Sequence, residues 1–169
     1  MKNIILVGMP GCGKSTVGVV LAKTLGMQFV DTDLIIQHQN HDVLHKLIER
    51  YGLKRFEEME EEALLSVTET KGMVIATGGS AVFCERGMRF LKQTGICVYL
   101  DVPCDELKRR LSNIRTRGIA AAKGMTVEEI FAERRPLYER YADIRIDCLN
   151  RHIEEITEMI AAQTGGTDE

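Results

Sequence analysis

The stretch GMPGCGKST at residues 8–16 constrains the fold of this chain more than any other part of the sequence. Gly8, Gly13, Lys14 and Ser15 fall at the spacing G-x-x-x-x-G-K-[S/T], directly after an apolar run and before a segment with a helical pattern. Glycines at these places let backbone N–H groups surround phosphate oxygens, and the N-terminus of the following helix adds partial positive charge. The stretch therefore predicts a strand, a phosphate-binding loop and a helix in direct succession.

Short apolar runs alternate with longer amphipathic segments along the whole chain, which indicates repeated βαβ units. Continuous apolar strands of this length are typical of a parallel sheet that is covered by helices on both faces and joined by right-handed crossovers. The predicted fold class is therefore three-layer α/β. The strand-like runs are residues 4–7, 28–30, 73–76, 96–100 and 144–146.

The length of 169 residues favours a single domain, which we expect to cover residues 1–163. Residues 112–124 mix basic residues, glycines and small side chains, a composition that indicates a mobile loop. Thr126 and Glu129 then form a capping box that opens another helix. Residues 164–169 are predicted to be a disordered tail.

Charge and composition argue against several classes of partner. A net charge of −3 at pH 7 gives no electrostatic reason to expect a nucleic acid. No window of the sequence approaches the roughly 18 apolar residues of a membrane span. The five cysteines form no C-x-x-C pair, which suits free thiols in a reducing compartment. We therefore expect a cytoplasmic protein that binds neither nucleic acid nor membrane.

The end of the phosphate loop carries two groups of clear chemical use. Lys14 would reach the β- and γ-phosphates of a nucleotide as a point charge, and the Ser15 hydroxyl would ligate Mg²⁺. Cys12 admits two interpretations. It is either a small loop residue or a redox-sensitive thiol whose thiolate the helix terminus favours.

Asp31 and Asp33 lie at the carboxyl end of the second predicted strand, the edge at which open α/β sheets bind ligands. Phosphoryl transfer needs one carboxylate for the Mg²⁺ shell and another to orient the acceptor hydroxyl and take its proton. An alternative is that one of them only caps the following helix.

Gly78 and Gly79 end the third predicted strand. Without side chains, their backbone amides could approach a ligand closely. A simple tight turn explains the pair equally well.

Together these motifs resemble the shikimate kinase family of small P-loop kinases, over roughly residues 3–147. Besides the loop, the similarity rests on the stretches FVDTD, VYLDVP and RRPLY, on the Gly-Gly turn and on the arginine-rich segment. The resemblance implies a P-loop kinase fold with a five-stranded parallel sheet and a mobile lid at residues 112–124. It also implies transfer of the γ-phosphate of ATP, with Mg²⁺, to a hydroxyl of a small molecule, shikimate in that family, in aromatic amino acid biosynthesis. We expect a monomer.

The resemblance also implies roles for individual residues. Arg110 matches an arginine that packs on adenine, Arg117 a lid arginine that reaches the transferred phosphate, and Arg134 an arginine that binds the substrate carboxylate. The expected catalytic residues are Lys14, Asp33 and Arg117. The expected metal ligands are Ser15 and Asp31. ATP is expected to contact Gly11, Cys12, Gly13, Lys14, Ser15, Thr16, Arg110 and Arg117, and the acceptor to contact Asp33, Glu57, Gly78, Gly79 and Arg134.

The chain departs from the family pattern mainly at Glu57, where a carboxylate-binding arginine is expected. A carboxylate facing an anionic substrate removes a charge-assisted pair and adds a like-charge contact. Three compensations stay open: Lys54 or Arg55 could supply the missing charge, or Glu57 could pair with Arg134 and leave a pocket for a neutral or cationic acceptor. Two further departures are Ser80, in place of a third glycine, and Gly118, in place of a proline that follows the lid arginine.

Because of these departures, other functions remain possible alternatives to a shikimate kinase. One is a related kinase whose acceptor lacks a carboxylate, which Glu57 motivates. Another is a nucleotide-binding pseudoenzyme, which the changes in the lid and the glycine turn motivate. A nucleoside monophosphate kinase would need a base-binding pocket for which the sequence offers no motif.

Overall fold

The computed structural model describes residues 1–112 and 119–165. Each predicted strand forms, and the ends differ from prediction by one residue at most. This agreement arises because each strand is a short, continuous apolar run. The strands are β1 (Asn3–Val7), β2 (Gln28–Asp31), β3 (Met73–Ala76), β4 (Gly95–Asp101) and β5 (Ile144–Asp147).

Seven α-helices of the described residues connect or follow the strands. A short 3₁₀-helix at Ala81–Phe83 follows β3. The α-helices are α1 (Lys14–Leu25), α2 (Thr32–Asn40), α3 (Leu44–Leu65), α4 (Glu85–Lys92), α5 (Cys104–Ser112), α6 (Val127–Tyr141) and α7 (Ile153–Thr164).

The five strands pair in parallel in the order β2-β3-β1-β4-β5. All five residues of the central strand β1 are buried, as expected for a strand covered on both faces. The predicted α/β fold with a five-stranded parallel sheet is therefore confirmed. Because every strand runs the same way, the phosphate loop after β1, the acidic pair after β2 and the glycine turn after β3 meet at one edge.

Helix α3 is broken by a kink at Gly52, whose φ of 79° and ψ of 170° are not helical. Only glycine adopts this backbone region without strain. The kink separates the first turns of α3 from the half that carries Phe56 and Glu60. Phe56 packs into a small second core with Ile36 and Leu47, which fixes this half of α3 against α2.

The predicted lid falls only partly within the described residues. Arg117 and Gly118 lie outside them, as do residues 166–169 of the predicted tail. Thr126 caps α6 as expected, since its side chain accepts a hydrogen bond from the N–H of Glu129. Helix α7 extends to Thr164, which is buried. Across residues 1–112 and 119–165, no helix is both long and apolar enough to cross a membrane.

Candidate active site

The phosphate loop adopts the conformation that its glycines predict. Gly11 and Gly13 have φ of 80° and 100°, in the left-handed region that other residues rarely adopt, and Gly13 is the residue before α1. The Lys14 side chain is buried, and its Nζ donates to the carbonyl oxygens of Gly8 at 2.7 Å and Met9 at 2.9 Å. The amine is therefore held inside the loop, against the backbone that would surround a phosphate.

Ser15 and Asp31 meet directly: the Ser15 hydroxyl donates to Asp31 Oδ2 at 2.6 Å. The other carboxylate oxygen of Asp31 accepts from the N–H of Asp33 at 2.9 Å, which caps α2. Asp31 thus does cap the helix, the alternative that the sequence left open, and it also brings a second hard oxygen beside Ser15.

Asp33 lies deeper in the site than Asp31. Burial is the main cause that raises the pKa of Asp33 to about 6; the Asp31 carboxylate adds to the effect and the Lys14 ammonium opposes it. Asp33 is therefore a carboxylate whose basicity is tuned close to neutral pH, beside the end of the phosphate loop.

The glycine turn is a place of close packing. A Cβ on Gly78 would lie 2.7 Å from Asp33 Oδ1 and 3.1 Å from Glu60 Oε2, and one on Gly79 would lie 2.6 Å from Pro10 Cδ. The N–H of Gly78 donates to the Thr32 hydroxyl at 3.2 Å. The glycines thus let the chain pass between the two carboxylates and the phosphate loop.

Arg134 of α6 is 2% exposed and is held by two contacts. Its Nη2 donates to the carbonyl oxygen of Ala120, and its guanidinium carbon lies 5.5 Å from the centre of the Phe83 ring. Nη1 is buried and has no hydrogen-bond partner. An unpaired buried N–H of a cation is costly, so such a group usually marks a place for an anionic ligand.

One cavity of about 290 Å³ brings these groups together. Its walls come from the phosphate loop, the start of α2, α3, the glycine turn, residues 119–120 and α6. The side chains and turns important for chemistry are Lys14, Ser15, Thr16, Asp33, Gly78 and Arg134. We call this the main cavity.

Arg110 and Cys12 lie at the outer and inner sides of the phosphate loop. The Nη1 of Arg110 donates to the carbonyl oxygen of Gly11 at 3.2 Å, and its Nε to Glu106 at 3.0 Å.

The Cys12 thiol is 3% exposed, with its Sγ 3.6 Å from Lys14 Nζ. Its burial supports the role of a small loop residue, since a redox-sensitive thiol needs solvent access.

Glu57 is exposed and lines a second cavity of about 190 Å³, bounded by α3, the 3₁₀-helix, residues 120–125 and α6. We call this the side cavity. Among the described residues no side chain pairs with the Glu57 carboxylate, so the ion pair with Arg134, one of the three open alternatives, does not form. Arg55 is bound to Glu58 and Glu62 on the outer face of α3. Lys54 lines neither cavity.

A buried pair behind the glycine turn is not part of any local sequence motif. The Ser80 hydroxyl donates to Glu60 Oε1 at 2.5 Å, and Glu60 is 2% exposed. Burial raises the pKa of Glu60 to about 7; the hydrogen bond from Ser80 opposes that rise, and Asp33 adds to it. The hydroxyl of Tyr138 also donates to the carbonyl oxygen of Gly79. These contacts depend on how α3 packs against the segment after β3, which a local sequence motif does not contain.

The sheet is parallel, the phosphate loop follows its central strand β1, and two carboxylates lie at the end of β2. This arrangement defines a P-loop phosphotransferase. The model of the shikimate kinase family matches residues 10–164, and the chain belongs to the shikimate kinase family. It is therefore a kinase, which uses ATP as co-substrate and Mg²⁺ as the usual metal of the family, and the resemblance seen in the sequence is confirmed.

Curated relatives carry the same family name. The shikimate kinase of Geobacter sulfurreducens is 36% identical over 162 residues, which are 95% of this chain and 89% of that one. Shikimate kinase 2 of Escherichia coli O1:K1 is 37% identical over 166 residues, 95% of both chains. The structure is similar to a shikimate kinase from Acinetobacter baumannii in complex with shikimate, with a TM-score of 0.87, 29% identity and coverage of 100% of this chain and 96% of that one.

Proposed function

We propose that this enzyme transfers the γ-phosphate of ATP to a hydroxyl of shikimate. The observation that carries the proposal is the unpaired, buried Nη1 of Arg134 in the main cavity. A carboxylate there would satisfy a group that is otherwise orphaned, through a charge-assisted hydrogen bond. The names of the relatives and the bound shikimate of the Acinetobacter structure support the same acceptor.

Asp33 is proposed as the residue that orients the acceptor hydroxyl and takes its proton. With a pKa near 6 it is mostly ionised at neutral pH, yet basic enough to accept a proton during the reaction. Lys14 is proposed to leave its loop carbonyls for the phosphates, and Gly78 and Gly79 to let the acceptor lie close to the backbone. Arg110 and Arg117 keep the adenine and phosphate roles that the family implies.

The residues present fit Mg²⁺. Ser15 and Asp31 bring a hydroxyl and a carboxylate oxygen within 2.6 Å of each other, and Mg²⁺ prefers such hard oxygens with water and phosphate completing its shell. Among the described residues no three acidic, histidine or cysteine side chains form a metal cage, which suits an ion held largely by its nucleotide. When bound, Mg²⁺ neutralises charge on the phosphate oxygens.

The expected cellular compartment and oligomeric state are also part of this proposal. All five cysteines are free thiols, which supports a reducing compartment such as the cytoplasm. A monomeric enzyme stays a prediction from the family resemblance.

The decisive measurement is the kinetics of ADP release with shikimate, for the wild type and for Arg134→Lys. Lysine keeps the charge but loses the fork of N–H groups, so we expect the KM for shikimate to rise by about tenfold or more. The KM for ATP should change by no more than about threefold, since Arg134 lies at the acceptor end. Arg135→Lys is the matched control, because Arg135 is partly exposed and pairs with Glu139.

Two further variants separate an enzyme from a pseudoenzyme. Asp33→Asn and Lys14→Ala should each abolish measurable turnover, while circular dichroism shows that the fold is retained. An Arg134→Lys enzyme with an unchanged KM for shikimate would contradict the carboxylate assignment. Absence of shikimate turnover in the wild type would overturn the proposed acceptor.

A further inference from the structure

The side cavity adjoins the main cavity at Arg134. The two cavities share Ser80, Ala120 and Arg134 in their walls. A ligand whose carboxylate binds the Nη1 of Arg134 could therefore extend into the main cavity and into the side cavity. The main cavity would hold the part of the ligand that carries the reacting hydroxyl, and the side cavity of about 190 Å³ would hold a group attached near the carboxylate.

The lining of the side cavity is largely apolar, and the polar side chains beside Arg134 in its wall are hydrogen-bond acceptors. Glu57 of α3 and Glu133 of α6 both line it, and neither carboxylate bonds to another side chain within the part of the chain that the structure describes. The hydrogen of the Ser80 hydroxyl is donated to Glu60, so that Ser80 offers its lone pairs to the cavity. A ligand that enters this space must bring donors of its own.

The nearest arginine on α3 does not turn the side cavity into an anion site. Arg55, the arginine nearest in sequence to Glu57, is 2.9 Å from Glu58 and 3.3 Å from Glu62 on the opposite face of α3. Glu57 and Glu133 thus line the side cavity together with Arg134, whose guanidinium is the group that would bind the acceptor carboxylate. The excess negative charge favours a donor or a cation beside the carboxylate and disfavours a second anion.

We propose that the acceptor site extends into the side cavity, where Glu57 selects hydroxy acids that carry a hydroxyl or ammonium group on the carbon bearing the carboxylate. The proposal rests on the proposed function, because it assumes that Arg134 binds the acceptor carboxylate. Shikimate has no donor on that carbon, whereas its saturated relative quinate has a hydroxyl there. Glu57 is therefore a specificity-determining residue that widens the range of acceptors beyond shikimate.

The test compares kcat/KM for quinate and for shikimate in the wild type, Glu57→Gln and Glu57→Arg. The wild type should phosphorylate both. Loss of a hydrogen bond to a charged group costs about tenfold or more, so Glu57→Gln should lower kcat/KM for quinate by about tenfold. It should not lower kcat/KM for shikimate, whose carboxylate loses a like-charge neighbour. Glu57→Arg should raise kcat/KM for shikimate by about tenfold, because it supplies a second cation for the carboxylate. It should lower the ratio of kcat/KM for quinate to that for shikimate, because it removes the group that accepts from the extra hydroxyl of quinate.

Glu58→Gln is the matched control, since Glu58 is the exposed neighbour on α3 that pairs with Arg55. It should leave the ratio of the two kcat/KM values unchanged. Position 57 is exposed, so both of its variants should fold, and thermal melting checks this directly. Turnover of shikimate alone by the wild type, or a ratio that Glu57→Gln and Glu57→Arg leave unchanged, overturns the selection by Glu57. Turnover of neither alcohol overturns the proposed function and this inference with it.

Discussion

Among single residues, Glu60 is a glutamate of α3 whose pKa is raised by burial to about 7. Its carboxyl group lies behind Gly78, accepts the hydrogen bond of Ser80 and is close enough to Asp33 for each charge to act on the other. No cation bonds to it directly among the described residues. Burial therefore disfavours its charged form, and stability should depend on pH through this residue.

The sign of that dependence follows from the pKa of Glu60, which rises from 4.5 to about 7 on folding. The folded state binds the proton more tightly than the unfolded chain, so the stabilisation is full below pH 4.5 and is lost as pH rises through 7. Glu60→Gln does not titrate. The free energy of unfolding of the wild type should therefore fall by about 3 kcal/mol relative to Glu60→Gln between pH 4 and pH 8.

Urea unfolding at a series of pH values measures this difference. Glu58→Gln is again the control, since its carboxylate is exposed and paired with Arg55, and its curve should run parallel to that of the wild type. Parallel curves for Glu60→Gln and the wild type would show that Glu60 is ionised in the folded protein at neutral pH.

The residues of the site differ in how far they can be predicted from sequence. Lys14, Ser15 and the two aspartates lie in local motifs whose spacing fixes their places, and the structure brings all four to one edge of the sheet. Ser80 and Glu60 are separated by 20 residues and meet only because α3 packs on the segment after β3. No local pattern contains that contact, so it had to come from the structure.

At the scale of elements, the kink at Gly52 decides where the second half of α3 points. We predict that Gly52→Ala lowers the free energy of unfolding by about 1–3 kcal/mol, because a φ of 79° with a ψ of 170° strains any residue with a Cβ. The space around the new Cβ is open, so the cost is one of backbone conformation alone. Urea unfolding measures it.

Lys54→Ala is the control for this change, as an exposed position two residues further along α3. It should alter stability by no more than about 0.5 kcal/mol. Gly52→Ala with the stability of the wild type would mean that α3 can straighten without cost, and that the kink does not place Phe56 and Glu57.

At the scale of the whole molecule, the strands could be predicted from sequence but the order of the sheet could not. Each strand is a local apolar run, whereas the order β2-β3-β1-β4-β5 depends on which helices cover which face. The consequence for function is that β1 lies between β3 and β4, so the phosphate loop has neighbours on both sides. The glycine turn after β3 forms one of these neighbours, and α5 with Arg110 the other.

Because the nucleotide site belongs to the central strand, its occupancy should stabilise the protein as a whole. At a concentration of ADP with Mg²⁺ about 100 times its Kd, the free energy of unfolding should rise by about 2.7 kcal/mol. Lys14→Ala should gain less than about 1 kcal/mol at the same concentration, since weaker binding shifts the equilibrium less. Lys23→Ala, at an exposed position of the last turn of α1, should behave as the wild type. Equal gains in all three would show that Lys14 makes no contact with the phosphates.

The tight packing of the glycine turn has a consequence for how such a site can evolve. A side chain at position 78 would collide with Asp33 and one at position 79 with Pro10, so neither position can change without damage to the reaction centre itself. Positions 57 and 80 already carry side chains, and both line the side cavity. New acceptors are therefore most accessible to natural variation through α3 and the residue after the turn, while the phosphate chemistry is inherited unchanged.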